Sequence, residues 1–589
     1  MRSCGFGVLC YWLTLAGSIL PVTLTPAELR SQAQQRPSSQ AADGSNEIFS
    51  EELLIKPLPS GHVYAQFCFT TSLHNPPEPL NHYRLFPMTV GELLQSNSVD
   101  EFHFSLTQGK WSHEHWGYPV KDRPAGALLW AWFKENPNEN WKKFAHALGG
   151  VTCSSLNFID DTITAVPKYV FRPEGYIESP NATNLRLALL PGEAVCTENL
   201  TPWLKLLPCS KSGLSQLLRA TSVFASHFFS IGMDVKRACL DSTCSQTHLL
   251  LQQYVTVVLD PTFAPGRQDW SFVKLFGKTV SQACTLASKS TILVDMTPNG
   301  ISADLSLTPE PHRQEKADQN RLFAVYDVKR LLKENGYANV VAKYARDHVY
   351  WTIKPPPLTA SRYLQGYGLD QGGIRTVIKN NQNEAVANVT YLEIIPWYLR
   401  VYVHTLMITS NGRRVYPNRI VFQPALDREK PYHFEIGLTL EPNSRTDIYF
   451  SFERAFLVWT EYPPDPHLGF YIGAASVTAR LPPKGLANFT GDLSSSENLE
   501  LALLHADDKP GRQLVLFTEI LLVTLPTPDF SMPYNVICFV CTALALAFGP
   551  IHNITTKNLV LQDKTQKKGL LHKILQKLKG VSTRKAKKD

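Results

Sequence analysis

The residues best able to do chemistry in this 589-residue chain are its cysteines, of which there are 11. A thiolate can attack a carbonyl, bind zinc or form a disulfide. Seven of them lie between the two apolar ends of the chain: Cys68, Cys153, Cys196, Cys209, Cys239, Cys244 and Cys284. Cys196 near Glu198 is the one candidate nucleophile, but no histidine is assigned to it by spacing. For zinc, Cys239-x4-Cys244 lacks a second pair at matching spacing, and His113-Glu114-His115 does not put two ligands on one helical face. There is no G-x-S-x-G elbow, no H-E-x-x-H and no phosphate-cradling loop. The glycines of GYGLDQGG (Gly366 to Gly373) suit a turn rather than a dinucleotide fingerprint. The expectation is therefore no catalytic residue, no metal site and no cofactor, with the cysteines in structural or intermolecular disulfides. An odd number in an oxidising compartment implies a free thiol or a bond to another chain.

The ends of the chain set that compartment. Arg2 precedes an apolar run, GFGVLCYWLTLAGSIL (Gly5 to Leu20), with small residues near Ala16 to Ser18. This pattern predicts a signal peptide over 1–25, cleaved between Gly17 and Pro26, the other reading being a retained signal anchor. Cys4 and Cys10 leave with it. Near the other end, Phe530 to Thr556 carries no Asp, Glu, Lys or Arg and includes YNVICFVCTALALAF (Tyr534 to Phe548). A span needs about 20 such residues, so 530–551 is predicted to cross a membrane. Cys538 and Cys541 fall inside it, where packing is their simplest role.

The tail at 552–589 has ten Lys and one Arg against two Asp, a net +9; the whole chain is +7, so the remainder is −2. Basic charge confined to one flank marks a cytosolic side and argues against a nucleic-acid-binding surface. The expected topology is single-pass type I, with the bulk of the chain lumenal. A GPI-attachment signal is excluded, because its apolar run is itself the terminus. Sequons at Asn181, Asn388 and Asn488 are glycosylation candidates. Asn199-Leu-Thr is weaker, being followed by Pro202, and Asn553 lies on the cytosolic side. The final KAKKD places Lys585 and Lys587 as a dilysine ER-retrieval signal, or as a basic tail matching that pattern by chance. Lys567 to Gly580 has leucines at helical spacing among lysines, as in a helix lying on an anionic leaflet.

Between the ends, about 500 residues exceed one core of typical size. Residues 26–50, rich in Gln and Ser, read as disordered. A first lumenal domain at 51–298 holds the cysteines, a polar stretch at 299–320 reads as a linker, and a second domain covers 321–529. Lys484 to Arg512 reads as a surface excursion. Alternation in PWYLRVYVHTLMIT, and the strand chemistry of HFEIGLTL, TDIYFSFERAFLVWTEY and RQLVLFTEILLVTLP, argue for strands. Trp141 to Leu148 and Leu214 to Phe229 are the helix candidates. The predicted class is mainly β with some α: two β-sandwich-like lumenal modules plus one C-terminal transmembrane helix.

Several long strings carry a family resemblance. CTENLTPWLKLLPC (Cys196 to Cys209), PWYLRVYVHTLMITS (Pro396 to Ser410), FERAFLVWTEYPPDPHLGFYI (Phe452 to Ile472) and LPTPDFSMPYNVICFVCT (Leu525 to Thr542) resemble the PIG-T family of GPI transamidase subunits. HYRLFPMTVGELL, FHFSLTQGKW and SLNFID match as well, so the likeness runs from about Glu51 to Ile551. It implies a non-catalytic scaffold in the ER membrane, within a complex that joins proproteins to a GPI lipid. The implied partners are the caspase-like catalytic subunit PIG-K together with PIG-S, PIG-U and GPAA subunits. The resemblance also implies that Cys196 forms the intermolecular disulfide to PIG-K. Cys68 departs from the family pattern, which makes it a spare thiol. At the membrane boundary, Ser531 and Asn535 either contact GPI or neighbouring helices, or are simply hydrated at headgroup level. Two other classes are a type I adhesion or lectin-like receptor and a lumenal hydrolase.

Overall fold

A computed structural model describes residues 47–557 except 77–79, 81–82, 179, 240–243, 245, 262–267, 297–304, 318–320, 346–354, 367–369, 464, 481–512, 528 and 530, together with residue 574. The first module contains β1 (Glu47–Pro57), β2 (Val63–His74), β3 (Val99–Gln108), β4 (Gly126–Phe133), β5 (Thr164–Ala165), β6 (Leu185–Leu190) and β7 (Phe228–Cys239). It continues with β8 (Thr247–Leu259), β9 (Trp270–Ser271), β10 (Lys289–Asp295), β11 (Leu305–Thr308), β12 (Arg313–Ala317), β13 (Arg321–Asp327) and β14 (Val341–Tyr344). Eleven of these form one sheet in the order β12-β13-β10-β1-β2-β8-β7-β3-β4-β6-β5. All its pairings are antiparallel except β1 with β10.

Period-two alternation splits this sheet into two different faces. On β7, Ile231, Met233 and Val235 enter the main apolar core. That core also takes Val90, Leu93 and Leu94 from α1 (Met88–Ser96), Trp141, Phe144, Ala145 and Leu148 from α2 (Pro137–Thr152), and Leu200 and Trp203 from α3 (Thr197–Lys205). The 3-and-4 spacing along α2 is the stripe that a helix buries against a sheet. The opposite face is polar at its centre, with His103, Ser105, Ser230, Asp234, Tyr254 and Thr256 buried there.

The second module comprises β15 (Leu358–Gln365), β16 (Gln371–Asn380), β17 (Val386–Ile395), β18 (Leu399–Ser410), β19 (Arg413–Arg414), β20 (Arg419–Gln423), β21 (Tyr432–Leu440), β22 (Ser444–Arg454), β23 (Phe470–Ile472), β24 (Ser476–Arg480), β25 (Gln513–Phe517) and β26 (Leu521–Val523). Two five-stranded sheets, β15-β16-β22-β18-β19 and β20-β21-β17-β24-β25, face each other. Ile378 and Ile448 of one sheet share a core with Tyr391, Ile436 and Val477 of the other. An ion pair also crosses between them: the Arg362 guanidinium donates to Glu393 at 2.5 Å, both side chains fully buried. Arg362 donates further to the Gly473 carbonyl at 2.7 Å.

The two modules pack on each other. Leu128, Trp130 and Trp132 of β4 share a cluster with Leu392 and Phe517 of the sandwich. The backbone amides of Lys168 and Tyr169 donate to the Glu435 carboxylate at 2.5 and 2.7 Å. Lys110 pairs with Glu519, and Arg419 stacks 3.3 Å above the Tyr169 ring. A cavity of about 200 Å³ remains at the seam, between Trp111, His113 and Arg123 on one side and Phe517 to Ile520 on the other.

The mainly β class and the single C-terminal apolar helix, α5 (Ser531–Thr556), are as expected; α4 (Val328–Asn335) completes the helices of eight residues or more among the described residues. Five expectations are corrected. The first module is one broad eleven-stranded sheet whose apolar face is covered by helices and by the small three-stranded sheet β11-β14-β9, which supplies Trp270, Leu305, Ala342 and Tyr344 to the core, rather than by a matching second sheet. The stretch 299–320 is not a plain linker: β11 pairs with β14, and β12 with β13. The first module therefore runs on to Tyr344, its polar composition there reflecting edge strands. Leu214 to Phe229 is not one helix but a 3-10 turn (Gly213–Leu217), a single helical turn (Ala220–Val223) and the start of β7. Finally, residues 47–50, expected to be disordered, open β1, and the apolar helix runs five residues past 551, beyond Pro550. The signal peptide and the surface excursion lie outside the described residues, as does the basic tail apart from residues 552–557 and the helical residue 574.

Candidate functional site

Four of the seven cysteines pair: Cys209 with Cys284, and Cys239 with Cys244. Cys68, Cys153 and Cys196 stand outside these two disulfides, and of the three Cys153 and Cys196 are exposed. Cys68 is half-buried in β2, its sulfur 3.7 Å from the Thr70 hydroxyl.

Cys196 stands at the N-terminus of α3, where a helix leaves backbone N–H groups without partners. Its extended backbone (φ −139°, ψ 177°) makes it the cap, and Asn199 is the third helical residue. The Cys196 amide donates to Asn199 Oδ1 at 2.9 Å, and the thiol donates to the same oxygen at 3.4 Å. This is a capping box with cysteine where serine or threonine is usual. The other side of the Asn199 amide donates to the carbonyls of Cys153 at 2.6 Å and Thr152 at 3.2 Å, the frayed end of α2. One buried amide thus joins the start of α3 to the end of α2, with an exposed cysteine at each end.

The rest of α3 is firmly held. Trp203 is buried against Phe69 and donates its indole N–H to the Gly232 carbonyl at 3.1 Å. Just beyond the helix, Cys209 is bonded across 75 residues to Cys284, a closure worth about 4 kcal/mol in the chain-entropy account. Cys196 is thus an exposed residue at the start of a helix held at both ends. Among the described residues, no imidazole appears among the hydrogen-bond partners of its sulfur.

Of the sequons, Asn181 and Asn388 are exposed. Asn388 has a left-handed φ of 56° at a register shift in β17. Asn199 is only 2% exposed and committed to its cap. Asn488, Lys585 and Lys587 lie outside the described residues.

At the membrane end, Asp529 accepts the Ser531 amide at 2.9 Å and so caps α5. Ser531 and Asn535 are exposed and four residues apart, hence on one helical face. Tyr462 donates its hydroxyl to the Pro526 carbonyl, tying the β22–β23 loop to the approach of α5. That loop exposes Phe456 (80%), Val458, Trp459 and Leu468.

Two charged clusters were not legible in the sequence. His103 donates to Glu101 at 2.8 Å, lies 3.2 Å from Asp234 and stacks on Trp130. Burial opposes its charge, but Glu174, then Asp234 and Glu101, raise its pKa to about 9. Lys121 and Arg123 also pair with Asp234, whose carboxyl they and His103 hold well below its usual range against the cost of burial. Three cations already crowd this site, so it is an ionic staple between β3, β7 and the segment over them rather than a metal centre. The other cluster, His62, His227 and Asp260, holds two imidazoles and a carboxylate.

Comparison with known proteins decides the assignment. The chain matches the family described as Gpi16 subunit, GPI transamidase component, over residues 37–269 and 261–581. It is 40% identical to the mouse GPI-anchor transamidase component PIGT over 537 residues, covering 89% of this chain and 92% of that protein. The human counterpart is equally similar, at 40% over 535 residues. Budding-yeast GPI transamidase component GPI16 is 30% identical, with 92% of this chain and 94% of the other covered. The chain belongs to the Gpi16 family. A Gpi16-family chain is a GPI transamidase component, which sets aside the adhesion-receptor class and makes its role one played beside other subunits. Among the described residues, one candidate membrane helix, α5, fits a single-pass member.

Proposed function

We propose that this chain is the non-catalytic scaffold of a GPI transamidase in the ER membrane. It holds the caspase-like subunit PIG-K through a disulfide at Cys196 and assembles with PIG-S, PIG-U and GPAA subunits. The bulk of the chain faces the lumen. The observation that carries this reading is the exposed, unpaired Cys196 thiol on a helix pinned at both ends. A tether there turns partner dissociation into an intramolecular event, with an effective concentration on a millimolar scale. Catalysis is left to the partner.

Ser531 and Asn535 form the polar face by which α5 meets neighbouring helices or the GPI headgroup. Phe456, Val458 and Trp459 beside the approach to α5 suit the bilayer surface, where aromatic side chains concentrate.

The test is purification of the assembled complex from cells carrying Cys196→Ser, with non-reducing gels and an anchor-attachment assay. The expected result is loss of the mixed-disulfide band, weaker assembly and reduced activity, with Cys153→Ser retaining the band. A band that persists in Cys196→Ser overturns the assignment. In the same assay, Asn535→Leu with unchanged assembly and activity removes the role given to α5's polar face.

A further inference from the structure

The hairpin turn between β1 and β2 ends at His62, immediately before β2. His227 immediately precedes β7, and Asp260 immediately follows β8. These strands are neighbours in the order β2-β8-β7. The register pairs Val63 with Leu259 and Phe228 with Val258, so all three residues emerge at one end of the sheet. The His227 amide donates to the Val258 carbonyl at 2.9 Å, which continues the ladder to that point. One donor atom from each residue lies within 4.8 Å of the other two. The imidazoles meet edge to face with centroids 4.6 Å apart, and His227 Nε2 is 3.9 Å from Asp260 Oδ2.

We propose that His62, His227 and Asp260 form a Zn²⁺ site with its fourth position open to solvent. Two neutral imidazoles and one carboxylate are a borderline donor set of the kind zinc takes with tetrahedral geometry. The site has a supporting shell. His62 Nδ1 lies 2.7 Å from the Ser60 hydroxyl, which also accepts the Trp116 indole N–H at 3.2 Å. Ser60 can accept the Nδ1 proton and leave Nε2 its lone pair, the arrangement by which outer partners orient a metal-binding histidine. Metal–ligand bonds of about 2.0–2.2 Å require the three donors to close slightly. His227, half exposed on its side chain, has room to turn inward. A bound ion would clamp three strand ends together at the rim beside Trp111 and Trp116.

The test uses the full chain, purified in detergent and stripped with chelator, and titrated with ZnCl₂ by calorimetry, with Co²⁺ absorption reporting coordination. The wild type is expected to bind one ion at this site and to melt at a higher temperature when loaded. His227→Ala, an exposed change that leaves the fold intact, should weaken binding at least tenfold and abolish the tetrahedral Co²⁺ spectrum. His404→Ala, an exposed histidine elsewhere, should change neither. Equal zinc binding and Co²⁺ spectra in wild type and His227→Ala, or no zinc binding by the wild type, overturns the proposal.

Discussion

Asn199 links the two exposed thiols: its Oδ1 accepts the backbone amide of Cys196, and its Nδ2 donates to the backbone carbonyl of Cys153. The helix end that presents Cys196 is thus built partly from a side chain three residues on and partly from the end of another helix. Replacing Asn199 with Ala removes the cap and leaves buried carbonyls without a donor. A loss of about 1–3 kcal/mol is expected, together with slower formation of the intermolecular disulfide. Urea denaturation and the rate of mixed-disulfide formation in pulse-labelled cells check the two parts separately.

The same burial bears on glycosylation. Glycan mapping by mass spectrometry should find Asn181 and Asn388 modified and Asn199 bare, although all three stand in sequons. A glycan on Asn199 would mean that its sequon is reached before α3 folds.

His103 ties stability to rising pH. Its folded pKa of about 9 lies above the unfolded value near 6.5, so its contribution is full below about pH 6.5 and is lost as pH climbs through 9. Linkage sets this at about 3 kcal/mol at most. Thermal melts of the wild type should decline across that window. His103→Gln should start lower and decline less.

Glu435 works in the opposite sense at the seam between modules. Burial opposes its charge, but the His433 imidazole 3.1 Å away and hydrogen bonds from the Lys168 and Tyr169 amides hold its pKa below the usual range. Its contribution is therefore present above pH about 4.3 and fades as pH falls through the depressed value. Glu435→Gln should cost about 1.5–3 kcal/mol at neutral pH and flatten the acid limb of a stability profile.

Arg362 is the central polar link of the sandwich. Arg362→Met leaves Glu393 buried beside Tyr391 without its cation. A destabilisation of about 3–5 kcal/mol is expected by chemical denaturation. Arg362→Met with Glu393→Leu should recover part of it.

Much about this protein is set locally, and that much its sequence determined. An uncharged run long enough to span a bilayer, a strongly basic flank and alternating strands each depend on neighbours close in sequence, and an odd set of cysteines is a plain count. Tertiary structure alone decided the rest, because it depends on strands far apart in sequence lying side by side. Polar residues 305–317 read as a linker, yet they are edge strands whose partners lie at 321–327 and 341–344. Asn199 looked like a sequon until α2 packed its end against it. His62, His227 and Asp260 are separated by 165 and 33 positions, and only the β2-β8-β7 pairing brings them together. Sheet register joins distant residues through hydrogen bonds that leave no periodicity in the chain, so such sites are invisible until the strands are laid in order.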